Sequence, residues 1–274
     1  MRFGAETVVL LGLLGIAVGA IGTIVGAGGG FLLAPVLLII YPHDNPRTLT
    51  AISLAAVWAN STSGSIAYAR QRRIDFRSGL VFGAATLPGA VVGALVVGDV
   101  PRRAFNALMA VTLGAIAVWI ALHRGRSSAA RRQGVERVIV DRTGKEWRYR
   151  VPLVRGVVYS AFVGFVSSFL GIGGGVFHVP LLVAGLGYPT HIATATSHFV
   201  LSMMSGAGVI THLVESSYSV GNGLRRSLIL AVGVAGGAQI GARLSTHVSG
   251  QLIERLLAVA LAIVSVRLGW AAFS

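Results

Sequence analysis

Ten apolar segments joined by short polar loops constrain this chain more than any other feature of its sequence. An apolar stretch of about 20 residues is long enough to cross the hydrocarbon core of a bilayer as a helix. Only 12% of the residues are charged and 54% are hydrophobic, whereas soluble domains have about 25% charged residues. The sequence therefore predicts an all-α polytopic membrane protein. The segments fall near 7–27, 28–41, 48–69, 78–98, 103–123, 153–172, 174–187, 190–214, 224–246 and 251–271.

The second group of five segments repeats the first. Two glycine-rich stretches share five residues at one constant offset. The pairs are Gly26 with Gly171, Gly28 with Gly173, Gly29 with Gly174, Gly30 with Gly175, and Pro35 with Pro180. Repeats with breaks at corresponding positions are typical of transporters. We therefore divide the chain into a membrane repeat at 1–123, a basic linker at 124–152 and a second membrane repeat at 153–274.

Loop charges indicate how the two halves lie in the membrane. Residues 124–155 contain ten Lys/Arg and three Asp/Glu, and the loop "RQRRIDFR" at 70–77 has a net charge of +3. Because Lys and Arg favour the cytoplasmic side, both segments are predicted to be cytoplasmic. The matching loop "ESSYSVGNG" at 215–223 has a charge of −1 and suits the outer side. We expect an inverted repeat of about five segments per half in a bacterial inner membrane, although the arginines of "DVPRR" at 99–103 argue against this orientation.

The linker has a predicted structure of its own. Alternating residues around "DRTGKE" predict a small β-hairpin that turns near Thr143–Gly144. Its charge density is typical of a solvated connector, and a regulatory or anionic-lipid contact by its arginines is the alternative. The net charge of +14 is concentrated here and in short loops. It follows the positive-inside rule and does not indicate nucleic-acid binding.

The stretches "GAGGGFLLAP" and "GIGGGVFHVP" place Gly and Pro where a membrane helix would be expected. Both residue types disfavour helix, and the apolar segment after each triple glycine has only about 14 residues, fewer than a spanning helix needs. Close packing by small residues explains "AVVGALVVG" and "GGAQIGA". Three consecutive glycines followed by a proline in both halves indicate a broken helix instead. The N-terminal ends of two half-helices would then meet near the midplane and form an anion site.

The candidate site combines these breaks with the polar segment that follows each of them. Hydroxyl, amide and imidazole groups there can donate to oxyanion oxygens, although they are also typical of helix–helix hydrogen bonds. His178 and His198 match Leu33 and Leu54 of the first half, so the site's histidines come from the second half. A core histidine paired with a carbonyl is the alternative for each. The predicted substrate-binding residues are Gly28, Gly29, Gly30, Ser53, Asn60, Ser61, Gly173, Gly174, Gly175, His178, Thr194, Ser197, His198 and Ser205, and the predicted structural breaks are Gly26, Pro35, Gly171 and Pro180.

Residue types missing from the apolar segments argue against other chemistries. The chain has no cysteine, which excludes disulfides and thiolate metal sites. No membrane-centred carboxylate pair is evident, which argues against a carboxylate-based metal-cation transporter and against a hydrolase. We therefore expect no enzymatic activity, no cofactor and no metal. The expected partners are a small anionic substrate and the lipid bilayer, a homodimer is left open, and no nucleic acid is expected.

The duplicated motif resembles that of a known family. The stretches "GAGGGFLLAPVL" and "GIGGGVFHVPLL", followed by "TAISL" and "TATSH", are similar to the sulfite exporter TauE/SafE family of bacterial membrane permeases. The resemblance covers both halves and places the family's glycine-rich motif on the break residues given above. It implies transport of small sulfur-containing anions such as sulfite, sulfonates or sulfoacetate. The arginine-rich linker and the two histidines are not assigned to the family pattern.

The membrane potential favours export of such an anion. An inside-negative potential of about 100 mV is worth about 2.3 kcal/mol per charge moved, so an anion leaves the cell without a coupling ion. Uptake would need a coupled cation, for which the histidines are the candidate carriers. We therefore predict an exporter. The alternatives are an uptake permease for another organic or inorganic oxyanion and a non-transporting membrane scaffold.

Overall fold

The computed structural model describes residues 5–122, 134–218 and 222–273, and in this part of the chain each predicted apolar segment forms a helix. The arginines at 124–132 of the predicted linker and residues 219–221 of the predicted outer loop lie outside the described residues. The first repeat contains α1 (Ala5–Val25), α2 (Gly30–Ile40), α3 (Pro46–Arg70), α4 (Phe76–Val96) and α5 (Arg102–Leu122). The second contains α6 (Leu153–Leu170), α7 (Gly175–Pro180), α8 (Thr190–Val214), α9 (Gly223–Leu244) and α10 (Gly250–Phe273).

Six of these helices are long and apolar enough to cross a membrane: α1, α4 with a short 3₁₀ turn that extends it to Asp99, α5, α6, α8 and α9. The segments that follow the glycine motifs are shorter apolar helices, at Gly30–Ile40 and Gly175–Gly185. The second of these is α7 continued by a π-helical turn at Leu181–Gly185. The chain therefore has the architecture of a multi-pass α-helical membrane protein.

The starts of α3 and α4 follow from local sequence. The side chain of Asn45 accepts a hydrogen bond from the amide of Arg47 at 2.9 Å, and Pro46 occupies the first turn of α3. Asp75 caps α4 in the same way by accepting from the amide of Ser78 at 3.1 Å. A side-chain oxygen at this position satisfies an amide that has no partner inside the helix, and proline is suited to the first turn.

The two halves interlock through their first and fourth helices. α1 packs along α9, and α6, the equivalent of α1, packs along α4. Gly237 and Gly241 of α9 lie against carbonyl oxygens of α1, while the matching Gly89 and Gly93 of α4 lie against carbonyl oxygens of α6. Small residues let helix backbones approach closely. The packing predicted for "AVVGALVVG" and "GGAQIGA" is therefore confirmed.

α3 and α8 pack together and run antiparallel. At one end, Arg47 in the first turn of α3 pairs with Glu215, just after α8, at 2.7 Å. At the other end, the amide of Asp75, which follows α3, donates to the hydroxyl of Thr196 near the start of α8 at 3.0 Å. The loop at 71–75 and the residue Glu215 therefore lie at opposite ends of the molecule. We call the end at Arg47 and Glu215 the distal end.

The described part of the linker forms the predicted hairpin. β1 (Val135–Val140) pairs antiparallel with β2 (Glu146–Val151). Gly144 takes a φ of 84° in the turn, a conformation that glycine adopts without strain. The carboxylate of Asp141 accepts hydrogen bonds from the amides of Thr143 and Lys145. The hairpin and its turn near Thr143–Gly144 are therefore confirmed.

A buried polar cluster attaches the hairpin to the helices. The hydroxyls of Tyr149 in β2 and Tyr188 before α8 both donate to the carboxylate of Asp75, at 3.1 and 3.2 Å. Burial, together with the charge of Asp75, raises the pKa of both phenols above the usual range, so both remain donors. Arg137 of β1 lies 3.7 Å from the same carboxylate. The hairpin thus lies on the loop between α3 and α4, at what we call the hairpin end.

Candidate functional site

Both glycine motifs interrupt the helical chain, as the sequence predicts. α1 is separated from α2, and α6 from α7, by short non-helical stretches. Most glycines of the two motifs have a left-handed backbone, in which a side chain would be strained. These are Gly26 (φ 83°), Gly28 (70°), Gly29 (77°), Gly171 (66°) and Gly173 (68°). Gly174 differs, with a φ of −57°, so the two breaks are similar but not identical.

The two breaks contact each other. Gly30, the first residue of α2, lies against the carbonyl oxygen of Ile172 in the opposite break. Gly175, the first residue of α7, lies against the carbonyl oxygen of Gly26 and the backbone of Ala27. A side chain at either position would collide with this backbone. Gly30 and Gly175 are therefore required for the approach of the breaks, rather than for a left-handed conformation.

The meeting point lies halfway along α3 and α8. Gly28 faces the side chains of Val57 and Leu201, and Gly173 faces Val57. Val57 and Leu201 each lie near the middle of a 25-residue helix. From this level α2 runs toward the distal end and α7 runs toward the hairpin end. Two half-helices thus start at the centre of the molecule and point away from each other.

The first amides of both half-helices have no hydrogen-bond partner among the described residues. Neither α2 nor α7 has a side-chain cap. Within residues 5–122, 134–218 and 222–273, no carbonyl accepts from the amides of Gly30 and Phe31 or of Gly175 and Val176. All four residues are buried. Buried amides without an acceptor are rare in proteins. Because helical N–H groups point toward the helix N-terminus, these amides face the meeting point with partial positive charge.

Two predicted serines hold the breaks in place. The hydroxyl of Ser53 in α3 donates to the carbonyl of Gly171 at 2.6 Å, and that of Ser197 in α8 donates to the carbonyl of Gly26 at 3.1 Å. Each serine therefore secures the break of the opposite half. The neighbouring residue Thr194 also contacts Gly26, but its hydroxyl is buried and no described residue bonds to it.

Asn60 and His198 belong to a polar cluster on the hairpin side of the breaks. Asn60 donates to the carbonyls of Gly19 and Val234 at 3.0 and 3.2 Å, and its oxygen accepts from Thr23 at 3.1 Å. Nε2 of His198 lies 3.3 Å from the hydroxyl of Thr23. The hydroxyl of Thr23 therefore links Asn60 of α3 to His198 of α8.

Sequence reasoning missed Thr23, although a signal was present. Thr23 lies three residues before Gly26, and Ser168 lies three residues before Gly171. Both repeats thus place a hydroxyl at the same position before the break. Ser168 and its neighbour Ser167 are fully buried, and neither hydroxyl has a partner among the residues that the structure describes. These residues add further hydrogen-bonding groups beside the breaks.

The other predicted residues occupy less central places. Nε2 of His178 lies 3.1 Å from the hydroxyl of Ser160 in α6. Ser61 and Ser205 donate within their own helices, to the carbonyls of Trp58 at 3.3 Å and Leu201 at 2.5 Å. Pro35 and Pro180 are buried inside α2 and at the end of α7.

The site is closed in this structure. Gly26 to Gly30 and Gly171 to Gly175 are all buried. A ligand would therefore reach the amides only after the surrounding helices move apart. The arrangement can offer an entering group several hydrogen-bond donors and two positive helix ends, without a nearby carboxylate among the predicted site residues.

Comparison with known proteins gives a consistent result. The family model described as "Sulfite exporter TauE/SafE" matches residues 11–268. The chain is 25% identical over 273 residues to the probable membrane transporter protein YunE of Bacillus subtilis, with 95% of each chain covered. It is 29% identical over 269 residues to a probable membrane transporter protein of Xylella fastidiosa, covering 95% of this chain and 94% of the relative. A probable membrane transporter protein of Methanocaldococcus jannaschii is 26% identical over 258 residues, with 90% of each chain covered.

No solved structure matches the chain at a significant level. The family match extends over both repeats, including both glycine breaks and the hairpin between them. The described part of the chain contains six candidate membrane helices, and the chain is a multi-pass membrane protein of a transporter family. It belongs to the sulfite exporter TauE/SafE family.

Proposed function

We propose that this protein is a permease for small sulfur-containing oxyanions such as sulfite, with its anion site between the two breaks. The observation that carries the proposal is the pair of buried helix starts at Gly30 and Gly175, whose amides have no acceptor among the described residues. Helix starts attract oxyanions through such amides and through the helix dipole. The unpartnered hydroxyls of Thr194, Ser167 and Ser168 supply further donors beside them. The family's description supports sulfite as the first substrate to test.

We further propose that the halves form an inverted repeat. The equivalent helices α3 and α8 run antiparallel. α1 packs on α9, and their equivalents in the other half, α6 and α4, pack on each other in the same way. The basic loop at 71–75 and the hairpin share one end, since the amide of Arg142 donates to the carbonyl of Gln71 at 3.0 Å. We assign this end, with the linker at 124–152, to the cytoplasm, because Lys and Arg favour that side.

Single-cysteine labelling tests the orientation. The chain has no native cysteine, so Arg142→Cys at the hairpin end and His43→Cys at the distal end can be made directly; both positions are exposed. In intact bacterial cells, an impermeant maleimide should label the His43→Cys variant and leave the Arg142→Cys variant unlabelled until the cells are lysed. Labelling of both positions from one side would contradict the assignment of the two ends to opposite sides of the membrane.

Export is the proposed direction. Sulfite is an anion, and an inside-negative potential of about 100 mV drives each charge outward with about 2.3 kcal/mol. The predicted site residues include no Asp or Glu that could carry protons through the membrane. This favours facilitated diffusion over proton-coupled uptake.

A flux measurement tests function and direction together. Proteoliposomes loaded with sulfite should release it when a potassium gradient and valinomycin make the interior negative, and the release should increase with the potential. Protein-free liposomes provide the baseline. Absence of potential-driven release would contradict export, and uptake against the potential in a pH gradient would instead indicate a proton-coupled importer.

A further inference from the structure

We propose that a pocket at the distal end binds the phosphodiester head group of an anionic lipid. The pocket has a volume of about 270 Å³ and lies where the end of α2 meets the start of α5 and the last turns of α10. Arg102, Asn106, Arg267 and Trp270 are among its lining residues. This inference uses no residue of the break site and does not depend on the proposed transport function.

The pocket is positively charged and retains free binding capacity. Arg102 donates to two backbone carbonyls, those of Leu38 and Asp44, both at 2.6 Å. In the described part of the chain, neither Arg102 nor Arg267 forms an ion pair with a carboxylate. The nearby carboxylate of Asp44 pairs with Arg226 instead, at 2.5 Å. The pocket therefore presents two guanidinium groups whose charge is not neutralised by a direct partner, and guanidinium matches phosphate oxygens well.

Asn106 gives an independent indication of a ligand. Its side chain is buried, with 6% of its surface exposed, and its Oδ1 has no hydrogen-bond partner in the part of the chain that the structure describes. A buried carboxamide without a partner is costly unless something fills the site. Because Oδ1 can only accept, the phosphodiester oxygens do not satisfy it, whereas a hydroxyl of a glycerol head group can donate to it. Asn106 therefore favours an anionic lipid whose head group carries a hydroxyl beside the phosphodiester.

The surroundings favour a lipid over a soluble phosphate. Trp270 is 75% exposed and Ile39 is 45% exposed, so the rim of the pocket is apolar and open. Tryptophan is enriched where a membrane protein meets the lipid head groups. Arg102 begins α5 and Arg267 lies near the end of α10. Both guanidinium groups therefore lie at the level expected for the lipid head groups. An occupant with acyl chains would cover the apolar rim as well as the charges.

A ligand in this pocket would also contact Arg102, which is hydrogen-bonded to the half-helix α2. Arg102 binds the carbonyl of Leu38 in the last turn of α2, and α2 carries the first break. A lipid bound at Arg102 would therefore help to fix the distal end of this half-helix.

Thermal unfolding of the purified full-length protein tests the proposal. Phosphatidylglycerol added to detergent micelles should raise the Tm by about 2–4 °C, the shift expected for about 1 kcal/mol in a chain of this size. Phosphatidylcholine should give a smaller shift, because its trimethylammonium group is repelled by the arginines. Soluble glycerol 3-phosphate should give no shift.

Two variants on one helix provide the matched comparison. Arg267→Gln should abolish the phosphatidylglycerol shift, while Arg255→Gln, an exposed position of α10 outside the pocket, should keep it. An equal shift in the Arg267→Gln variant, or no shift in the natural protein, would overturn the proposal. So would equal stabilisation by phosphatidylcholine or by glycerol 3-phosphate, since either would remove the assignment to an anionic lipid.

Discussion

Thr194 and Ser53 illustrate two uses of a buried hydroxyl beside the breaks. The hydroxyl of Ser53 donates to the carbonyl of Gly171. The hydroxyl of Thr194 is buried and has no partner among the described residues. The first arrangement stabilises the closed fold. The second leaves a donor available to the proposed anion, so mutation separates the two roles.

Replacement of Thr194 by valine should lower transport without lowering stability. Valine has nearly the same shape and removes a hydroxyl that has no partner in the fold, so the Tm should stay the same or rise. If the hydroxyl binds the anion, sulfite flux should fall roughly 10- to 100-fold, because hydrogen bonds to charged groups contribute about 1.5–3 kcal/mol. Thr211→Val on the same helix, where the hydroxyl donates to Ala207, is the control. Unchanged flux in Thr194→Val would exclude this hydroxyl from the site.

Ser53→Ala should instead destabilise the protein. It leaves the buried carbonyl of Gly171 without its donor, which costs about 1–3 kcal/mol. Thermal unfolding should show the loss, and Ser202→Ala, whose hydroxyl donates within its own helix, should show much less. Equal stability of the two variants would argue that the serine does not secure the break.

Single residues were predicted from the sequence with uneven success. The glycines could be predicted because a left-handed or closely packed backbone tolerates little else. Thr23 was missed because a lone threonine in an apolar helix has many structural roles, and its contact with Asn60 and His198 depends on how α1 packs against α3 and α8. The hydrogen-bond partner of a buried polar group depends on the tertiary packing, and the periodicity of the sequence does not predict that packing.

At the scale of the helices, Gly236 and Gly237 provide a matched test of the interlock. Gly237 lies on a carbonyl of α1, whereas a side-chain carbon at Gly236 would have no neighbour within 4 Å. Gly237→Ala should force α9 away from α1 and lower the Tm. Gly236→Ala should stabilise α9 slightly, since alanine is favoured over glycine in a helix by about 1 kcal/mol. Similar Tm values for the two variants would contradict the close packing described for α1 and α9.

The hairpin should lose stability in acid. Burial raises the pKa of Asp141, but hydrogen bonds from Thr143, Trp147 and two amides outweigh it and lower the pKa from 3.8 to about 2. Because the folded pKa lies below the unfolded one, the stabilisation is complete above the unfolded pKa and is lost as the pH falls through the folded pKa.

Fluorescence of Trp147 can follow this loss. In a variant whose other three tryptophans are phenylalanine, the emission should change between about pH 4 and pH 2, the interval between the unfolded and folded pKa values of Asp141. Asp141→Asn should give the acid-like emission at neutral pH. A signal that stays constant down to pH 2 would show that this carboxylate does not hold the hairpin.

Helix positions were well predicted, but helix partners were not. Apolar segment lengths and the turn residues "DRTGKE" are local signals, and they gave both the helices and the hairpin. The small residues along one face of α4 and of α9 indicated close helix packing. They did not indicate which helix would pack there, because any helix with a smooth face could approach such a surface. The π-helical turn after Pro180 has no counterpart after Pro35, although both repeats have the proline.

For the whole molecule, the duplication was the most informative signal. It predicted that two breaks occur, and the structure brings them together halfway along α3 and α8. It did not predict that each half would supply serines to the break of the other half. This exchange follows from the interlocked packing and means that the proposed site needs both halves.

The most direct test of the central claim is the position of a bound anion. Selenite, the heavier analogue of sulfite, can be located in crystals of the protein by anomalous diffraction at the selenium edge. We predict one main peak between the starts of α2 and α7, with oxygens about 2.9 Å from the amides of Gly30 and Gly175. A main peak away from both breaks, such as one confined to the arginines of the hairpin, would contradict the account.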